Sequence, residues 1–353
     1  MAPILVDQDP SSPVKVAVVQ AEPCWFDIEA AVEKTCALIT EAGQHGAKLI
    51  AFPELWIPGY PTFIFAHTTK AVNDFMLEYY KHSVSVDSVH MAEIRKAARA
   101  AHIMVVLGIS ERQRGSLYMA QTFIGPDGDI LLHRRKFKPT GGERVVFGDA
   151  SGDCTKNVVQ TPIGRVGGLQ CFEHLQPLLK YNTYSQGEQT HVASWPCLPG
   201  GEDARFNTVE ACRMATHTLA IEGGVFVLLA SSTQTEKGLE ANGLPSTDQR
   251  LSTEGQPGEQ PHTAVVGGGF TAVIAPDGRA LTDTVPTDWE GLVYAELDFD
   301  EIYRAKQWVD PVGHYSRPDL FTLNVRGGVR RHVEKEADED GYEHVMRFPE
   351  LEE

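Results

Sequence analysis

The chain has few cysteines, fewer basic than acidic residues, and no long uninterrupted apolar segment. Its 353 residues include 48 acidic and 31 basic side chains, which gives a formal net charge of −17. A surface of this charge repels phosphate backbones, so we expect no nucleic-acid partner. No apolar run approaches the roughly 18–20 residues that a transmembrane helix needs, so we expect no membrane span either.

The six cysteines are too sparse for a disulfide framework. They contain no CxxC pair and no spacing typical of a metal site. The first residues, MAPILVDQDPSSP, lack the basic segment and the long apolar stretch of a signal peptide. We therefore expect a reducing, cytoplasmic setting and no bound metal.

Strand and helix patterns alternate along the chain, which predicts an α/β protein with helices covering sheets. The predicted strands are 14–21, 48–55, 103–111 and 225–231, and the predicted helices are 90–102, 206–224 and one that Asp27 caps. Two predicted hairpins, 119–136 and 270–281, share a Pro-Asp-Gly turn. They indicate either a duplicated sheet architecture or only a common turn.

The predicted organisation is one domain with two distinct ends. Residues 1–13 are predicted to be a flexible N-terminus, and 14–326 a single domain that no linker divides. Residues 327–353 are highly charged and are predicted to form a flexible or docking tail. Inside the domain, residues 232–262 are polar and rich in Gly, Pro, Ser and Thr, which predicts a long loop.

The most informative segment is GRVGGLQCFEHLQPLLK, residues 164–180, in which an apolar run ends at Cys171 and helical spacing begins. At such a turn the first helical N–H groups lack partners, and the helix dipole lowers the pKa of a nearby thiol. This position favours a reactive thiolate. The alternative is a small buried apolar side chain, the commoner state of a cysteine in an apolar run.

Two further segments end predicted strands in groups that complement a thiol. AFPELWIPGYP (51–61) places Glu54 among prolines and aromatics, where poor solvation would raise its pKa and make it a base near neutral pH. LLHRRKFKPTGGERVVFG (131–148) ends in a basic cluster and then reaches Glu143. The alternatives are a surface glutamate and a solvated basic edge. Chemistry in sheet-based enzymes collects at the carboxyl ends of strands, so we expect these groups to meet.

These residues resemble the Glu-Lys-Cys triad of the nitrilase superfamily, and the resemblance runs from about residue 14 to 325. Glu54 in FPELWIPGYP, Lys136 in HRRKFKPT and Cys171 in GGLQCFEHLQPLLKY carry it. Supporting motifs are ASWP (193–196), TGGERVVFGDASGD (140–153) and DPVGHYSRPD (310–319). The last of these resembles the nitrilase branch more than the amidase branches.

The resemblance implies a four-layer α-β-β-α sandwich and a homo-oligomer built from dimers that can extend into helical filaments. It implies hydrolysis of an aromatic or arylaliphatic nitrile to the carboxylic acid and ammonia. Cys171 would carry the thioimidate and thioester, and Glu54 would act as general base. Lys136 and the backbone N–H of Phe172 would stabilise negative charge on the substrate. No metal and no organic cofactor is expected.

Glu143 resembles a further glutamate that family members carry near the triad lysine. It could orient Lys136 or position the substrate, or it could form a structural ion pair with an arginine such as Arg135. Lys138 would face the same side of a strand as Lys136, so alternation does not choose between the two lysines. The resemblance favours Lys136.

Tyr60, Phe172 and Trp195 are expected to line the substrate pocket. Relatives usually carry Trp after the nucleophile, so Phe172 implies a pocket of different size. His174 is expected to be structural, because the resemblance assigns the base to Glu54. Glu173 is expected to form a dimer or helix contact.

Three other functions remain open. A cyanide hydratase or another amide-forming nitrile hydrolase would use the same triad, although the residues after Cys171 resemble nitrilases better. An amidase of the same superfamily is the second alternative. The third is an inactive filament-forming scaffold, against which the intact Glu54, Lys136 and Cys171 argue.

Overall fold

The computed structural model describes residues 13–65, 69–198, 207–244 and 266–329. Its strands are β1 (Val14–Gln20), β2 (Leu49–Ala51), β3 (Met104–Gln113), β4 (Ser116–Ile124), β5 (Ile130–Arg135), β6 (Val158–Thr161), β7 (Gly164–Gln170), β8 (Thr190–Trp195), β9 (Phe226–Ser231), β10 (Ala272–Ile274) and β11 (Gly291–Leu297). Its α-helices are α1 (Ile28–Gln44), α2 (Thr69–Lys81), α3 (Val89–Ala101), α4 (Pro177–Ser185), α5 (Val209–Gly223), α6 (Glu236–Ala241) and α7 (Asp300–Lys306). Short 3-10 helices cover Thr62–Phe65, Gly141–Val145, Gly152–Thr155 and Cys171–Leu175.

The strands form two sheets with parallel centres and antiparallel edges. The first sheet has the order β11-β1-β2-β3-β4-β5 and the second β10-β9-β8-β7-β6. β1, β2 and β3 are parallel neighbours, as are β7, β8 and β9. The carboxyl ends of parallel neighbours lie at the same edge of each sheet, which is where the predicted site residues follow their strands.

Alternate residues of the strands face different layers. Ala17 and Val19 of β1 belong to a buried cluster with residues of α1 and α3, whereas Val16 and Val18 belong to a cluster that joins the two sheets. The outer face of the second sheet forms a third cluster with residues of α4 and α5. The layers are therefore α-β-β-α, and the predicted fold is confirmed.

Local signals in the sequence account for the helix ends. Asp27 caps α1, where its Oδ1 accepts a hydrogen bond from the N–H of Ala30 at 3.0 Å. Gly224 ends α5 in a left-handed conformation with φ of 58°. Both ends agree with the sequence prediction.

The predicted strand over 48–55 is shorter in the structure. β2 stops at Ala51, and Pro53, which has no N–H to donate to a neighbouring strand, follows two residues later. Glu54 therefore lies in the turn after the strand.

Two other predictions also need correction. The second hairpin is reduced to β10 and an isolated bridge between Ile274 and Ala280. The predicted loop 232–262 contains α6, which Thr235 caps by accepting from the N–H of Lys237 at 3.2 Å. Residues 245–262 of that loop lie outside the described residues.

Most of both proposed ends of the chain, 1–12 and 330–353, also lies outside the described residues, so the domain boundaries remain a prediction. Among the helices that the structure describes, none has the length and apolar character needed to cross a bilayer. All six cysteines fall in described segments and none is disulfide-bonded.

Candidate active site

The three residues of the predicted triad follow strands that belong to both sheets. Glu54 lies three residues after β2, Lys136 follows β5 directly, and Cys171 follows β7 directly. Two hydrogen bonds connect the ends of the sheets here. The N–H of Glu54 donates to the carbonyl of Trp195 at 3.3 Å, and Ser194 Oγ donates to the carbonyl of Phe52 at 2.9 Å.

Lys136 joins two carboxylates beside the thiol. Its Nζ donates to Glu54 Oε1 and to Glu143 Oε2, each at 2.9 Å, and all three side chains are buried. One carboxylate oxygen of each glutamate and Sγ of Cys171 lie within 4.8 Å of one another. The structure thus brings all four predicted residues together. The Lys136 ammonium lies between the two glutamate side chains and supplies one positive charge to the group.

Burial makes Glu54 a stronger base than an ordinary carboxylate. Burial raises its pKa to about 8, with Lys136 acting in the opposite direction and Glu143 adding to the rise. Its Oε2 has no hydrogen-bond partner among the described residues. One oxygen of Glu54 therefore holds the lysine, while the other can accept a proton. Burial lowers the pKa of Lys136, but the charges of Glu54 and Glu143 outweigh burial and raise it, so the lysine stays an ammonium.

The Cys171 thiol is neutral at rest. Burial raises its pKa well above the ordinary value, Glu54 and Glu143 add to the rise, and Lys136 opposes it. This differs from the expectation that a helix N-terminus lowers the pKa. The segment after Cys171 is only the five-residue 3-10 helix Cys171–Leu175, and α4 begins after the extended Gln176, at Pro177. The residue before a proline disfavours the helical region, so the helix is interrupted there.

The backbone of Cys171 adopts the left-handed conformation, with φ of 47°. For a residue with a Cβ this conformation costs about 1–2 kcal/mol, so contacts around the turn must hold it. One such contact comes from Glu173, whose Oε2 accepts from the N–H of Gln170 at 2.9 Å. The turn is therefore fixed on its N-terminal side.

Glu173 also connects the turn to the strand that precedes Lys136. Arg134 Nη1 donates to Glu173 Oε2 at 2.9 Å and Nη2 donates to Oε1 at 2.7 Å, and both side chains are fully buried. The N–H of Phe137 donates to Glu173 Oε1 at 2.9 Å. Glu173 is therefore an internal clamp between β5 and β7, rather than the expected dimer or helix contact.

Sequence reasoning missed Arg134, although a signal for it exists. Arg134 stands two residues before Lys136, and strand alternation puts both on the same face. That face is the one that meets Glu54 and Glu173.

Glu143 fixes the far side of Lys136. Its Oε2 accepts from the N–H of Thr140 at 2.6 Å, and its Oε1 accepts from Tyr60 Oη at 2.7 Å. The alternative ion pair with Arg135 is wrong, because Arg135 Nη2 binds Glu111 Oε1 at 2.6 Å. This geometry favours the orienting role for Glu143.

The predicted pocket residues lie in different environments. Tyr60 is buried against Glu143, whereas Phe172 is partly buried and meets Trp195 edge to face, with ring centroids 6.1 Å apart. Trp195 is fully buried and stacks on the ring of His174 at 5.2 Å. Lys138 is half-exposed and pairs with Asp149, so only Lys136 belongs to the site.

The chain matches a known protein family and is similar to several known proteins. The sequence profile described as carbon-nitrogen hydrolase matches residues 15–307. An arylacetonitrilase from Aspergillus kawachii is 48% identical over 332 residues, which cover 93% of this chain and 96% of the relative. A nitrilase from Penicillium rubens is 43% identical over 318 residues, which cover 88% of this chain and 93% of the relative.

Solved structures show the same fold at low sequence identity. A carbon-nitrogen hydrolase from Helicobacter pylori superimposes with a TM-score of 0.67 at 17% identity, covering 88% of this chain and 97% of that one. An amidase from Nesterenkonia superimposes with a TM-score of 0.58 at 17% identity, covering 84% and 96%. These similarities concern the fold alone.

Proposed function

We propose that this chain, which belongs to the carbon-nitrogen hydrolase family, hydrolyses an aryl-type nitrile to the carboxylic acid and ammonia. The observation that carries the proposal is the buried Lys136 ammonium between two glutamate side chains that lie beside the Cys171 thiol, of which Glu54 has an oxygen, Oε2, with no hydrogen-bond partner among the described residues. The relatives support the class of substrate, since those at 48% and 47% identity are arylacetonitrilases.

The first half of the reaction makes a bond between sulfur and the nitrile carbon. Glu54 takes the proton of the Cys171 thiol through its free Oε2, and the thiolate attacks the carbon. Negative charge then grows on the nitrogen. Lys136 and the backbone N–H of Phe172 stabilise this charge, and the proton held by Glu54 passes to the nitrogen, which gives a thioimidate and returns Glu54 to its carboxylate form.

The second half consumes two waters. Glu54 activates the first water, which adds to the thioimidate, and the tetrahedral intermediate expels ammonia to leave a thioester. A second water then releases the carboxylic acid and restores the thiol. Glu143 takes no proton in this scheme. It holds Lys136 in place through the 2.9 Å hydrogen bond and is itself held by Tyr60 and Thr140.

The proposal also covers the oligomeric state and the cellular location of the protein. Four large apolar side chains along the outer face of the second sheet's helices are 48–70% exposed, namely Leu175, Leu178, Met214 and Ile221. This exposure supports a dimer that packs these helices together, and light scattering at increasing protein concentration tests it. The unpaired cysteines support a reducing, cytoplasmic setting.

A nitrile panel that includes phenylacetonitrile and cyanide tests the reaction. Ammonia release and product chromatography are measured together, and mass spectrometry of protein exposed briefly to nitrile looks for an adduct on Cys171. We expect phenylacetic acid with equimolar ammonia, and an adduct that is absent in Cys171→Ala.

The alternatives give different products. Phenylacetamide, or formamide from cyanide, as the main product indicates that the intermediate expels sulfur instead of ammonia. Turnover of phenylacetamide without turnover of phenylacetonitrile indicates an amidase. Neither adduct nor ammonia across the panel indicates an inactive scaffold.

A further inference from the structure

A chain of three buried titratable side chains ends at the backbone of Cys171. His174 Nδ1 lies 2.6 Å from the carbonyl oxygen of Cys171, and His174 Nε2 lies 3.2 Å from His191 Nε2. His191 Nδ1 lies 2.8 Å from Glu188 Oε2. All three side chains are within the protein interior, and the reaction described above uses none of them.

The hydrogen-bond chemistry fixes where the first proton lies. A carbonyl oxygen only accepts, so His174 Nδ1 carries a proton and donates to Cys171. Burial lowers the pKa of His174 well below its usual range, and His191 adds to the effect, so the ring is neutral. Its Nε2 is then an acceptor.

The donor to His174 Nε2 must come from the next side chain in the series, His191. His191 Nε2 carries the proton that His174 Nε2 accepts. One further proton lies between His191 Nδ1 and Glu188, either as an imidazolium facing a carboxylate or as a neutral ring facing a carboxylic acid. The pair is neutral in both forms, which suits its burial.

The backbone accommodates this pair closely. Gly167 of β7 lies against Glu188, because a Cβ at that position would be 2.2 Å from Glu188 Oε2. The carboxylate is therefore packed directly onto the strand that leads to Cys171.

The peptide plane transmits the effect of His174 to the reacting atoms. The carbonyl of Cys171 and the N–H of Phe172 belong to one planar trans peptide, so they point in opposite directions. Fixing the carbonyl fixes the direction of the N–H. A hydrogen bond to the carbonyl also polarises the N–H and strengthens it as a donor.

We propose that Glu188, His191 and His174 form a positioning relay that orients the backbone N–H of Phe172 toward the substrate nitrogen. The relay rests on the proposed function for the role of that N–H. Its hydrogen-bond pattern, however, is a property of the resting protein. His174 is a positioning residue, since both of its ring nitrogens bind protein groups.

The tautomer of His174 is the first test and does not depend on activity. Protein labelled with ¹⁵N-histidine gives long-range ¹H–¹⁵N spectra, and the His174 signals are those lost in His174→Asn. We expect a neutral ring with the proton on Nδ1. A proton on Nε2 alone would overturn the relay. An absence of nitrile turnover by the wild-type protein would refute the proposed function and leave this result intact.

Kinetics of two substitutions form the second test. Asn places an amide nitrogen where His174 Nδ1 lies and keeps the donor, whereas Phe keeps the ring shape and removes the donor. For His174→Phe we expect kcat to fall roughly 10- to 100-fold, with KM changed less than about threefold, because the lost contact acts on developing charge. For His174→Asn we expect kcat within about threefold of wild type.

A surface histidine provides the matched control. His45 Nδ1 donates to the carbonyl of Glu41 at 2.9 Å in an exposed position, distant in sequence from Cys171. His45→Phe therefore removes the same kind of hydrogen bond. We expect unchanged kcat. Equal losses in His174→Asn and His174→Phe, or wild-type kcat in His174→Phe, would contradict the relay. Circular dichroism and thermal melting check that each variant is folded.

Discussion

Two buried carboxylate–cation groups lie side by side at the end of β5 and differ in how their oxygens are used. Glu173 Oε1 and Oε2 each accept two hydrogen bonds, from Arg134 and from a backbone N–H. Glu54 Oε1 accepts from Lys136, while Oε2 has no partner among the described residues. Arg134 and Lys136 are only two residues apart.

The number of bonded oxygens distinguishes a carboxylate with a structural role from one with a catalytic role. A buried carboxylate with both oxygens bonded is strongly held in its ionised form and in place, so it suits a clamp. A buried carboxylate with a free oxygen and a pKa raised to about 8 can accept a proton, so it suits a base. The comparison therefore predicts that neutralising Glu54 lowers activity, and that neutralising Glu173 lowers stability.

Glu54→Gln is expected to have the largest effect on the reaction. An amide cannot accept the thiol proton, so kcat should fall at least ~10³-fold. The unfolding free energy at pH 7 should not fall, because the raised pKa shows that folding disfavours the ionised form of Glu54, a cost that a neutral amide lacks, and Glu143 still pairs with Lys136. Ammonia release and chemical denaturation measure the two quantities. A large loss of stability would mean that Glu54 is part of the scaffold.

Glu173→Gln should show the opposite pattern. It leaves the buried Arg134 guanidinium facing neutral amide oxygens, that of the new side chain and that of Gln121, 3.1 Å away, in place of a carboxylate. We expect the unfolding free energy to fall by about 3–5 kcal/mol, as when one partner of a buried ion pair is removed. The folded fraction should keep its thiol and base, so kcat per folded molecule should fall only about tenfold. Unchanged stability would refute the clamp.

The pH dependence of kcat/KM tests the free oxygen of Glu54. The reaction needs this carboxylate ionised, and its pKa lies near 8, above the usual 4.5. The active fraction therefore rises with pH, and kcat/KM at pH 7 should be about tenfold below its value at pH 9. A profile that is flat from pH 6 to 9 would be inconsistent with Glu54 as the base.

The pH dependence of kcat/KM in Glu143→Gln tests the same assignment further. The negative charge of Glu143 contributes to the raised pKa of Glu54, so its removal should shift the rise in kcat/KM toward lower pH. The value of kcat should also fall, since Lys136 loses one of its two carboxylates. A shift toward higher pH would show that Glu143 acts on Glu54 mainly by placing Lys136.

Much of this arrangement could be predicted from the sequence, and the rest depends on long-range geometry. Alternation of strands and helices indicated the class of fold, and the resemblance supplied the four layers. Burial of Glu54 followed from its prolines and aromatics. The raised pKa of Cys171 did not follow, because it depends first on the complete burial of the thiol and then on two carboxylates from distant segments, and because the helix that would oppose it is interrupted at Pro177.

The clamp was missed for a similar reason. Glu173 lies in a turn in which every side chain had a plausible local role, and its partner Arg134 is 39 residues away in the chain. Strand alternation placed Arg134 beside Lys136 but named no partner for it. The partner is set by the pairing of the two sheets, which a single sequence does not specify.

Lys138 gives the smallest expected effect and a control for the lysine assignment. Alternation left Lys136 and Lys138 equivalent, but β5 ends at Arg135 and the chain then turns, so Lys138 reaches Asp149 at 2.7 Å with its side chain 51% exposed. An exposed pair of this kind contributes about 0–1 kcal/mol. Lys138→Ala should therefore change kcat/KM by less than about twofold, while Lys136→Ala should lower it at least ~10²-fold. Comparable losses in the two variants, measured by ammonia release, would mean that the charge of the whole segment matters rather than one ammonium held between two carboxylates.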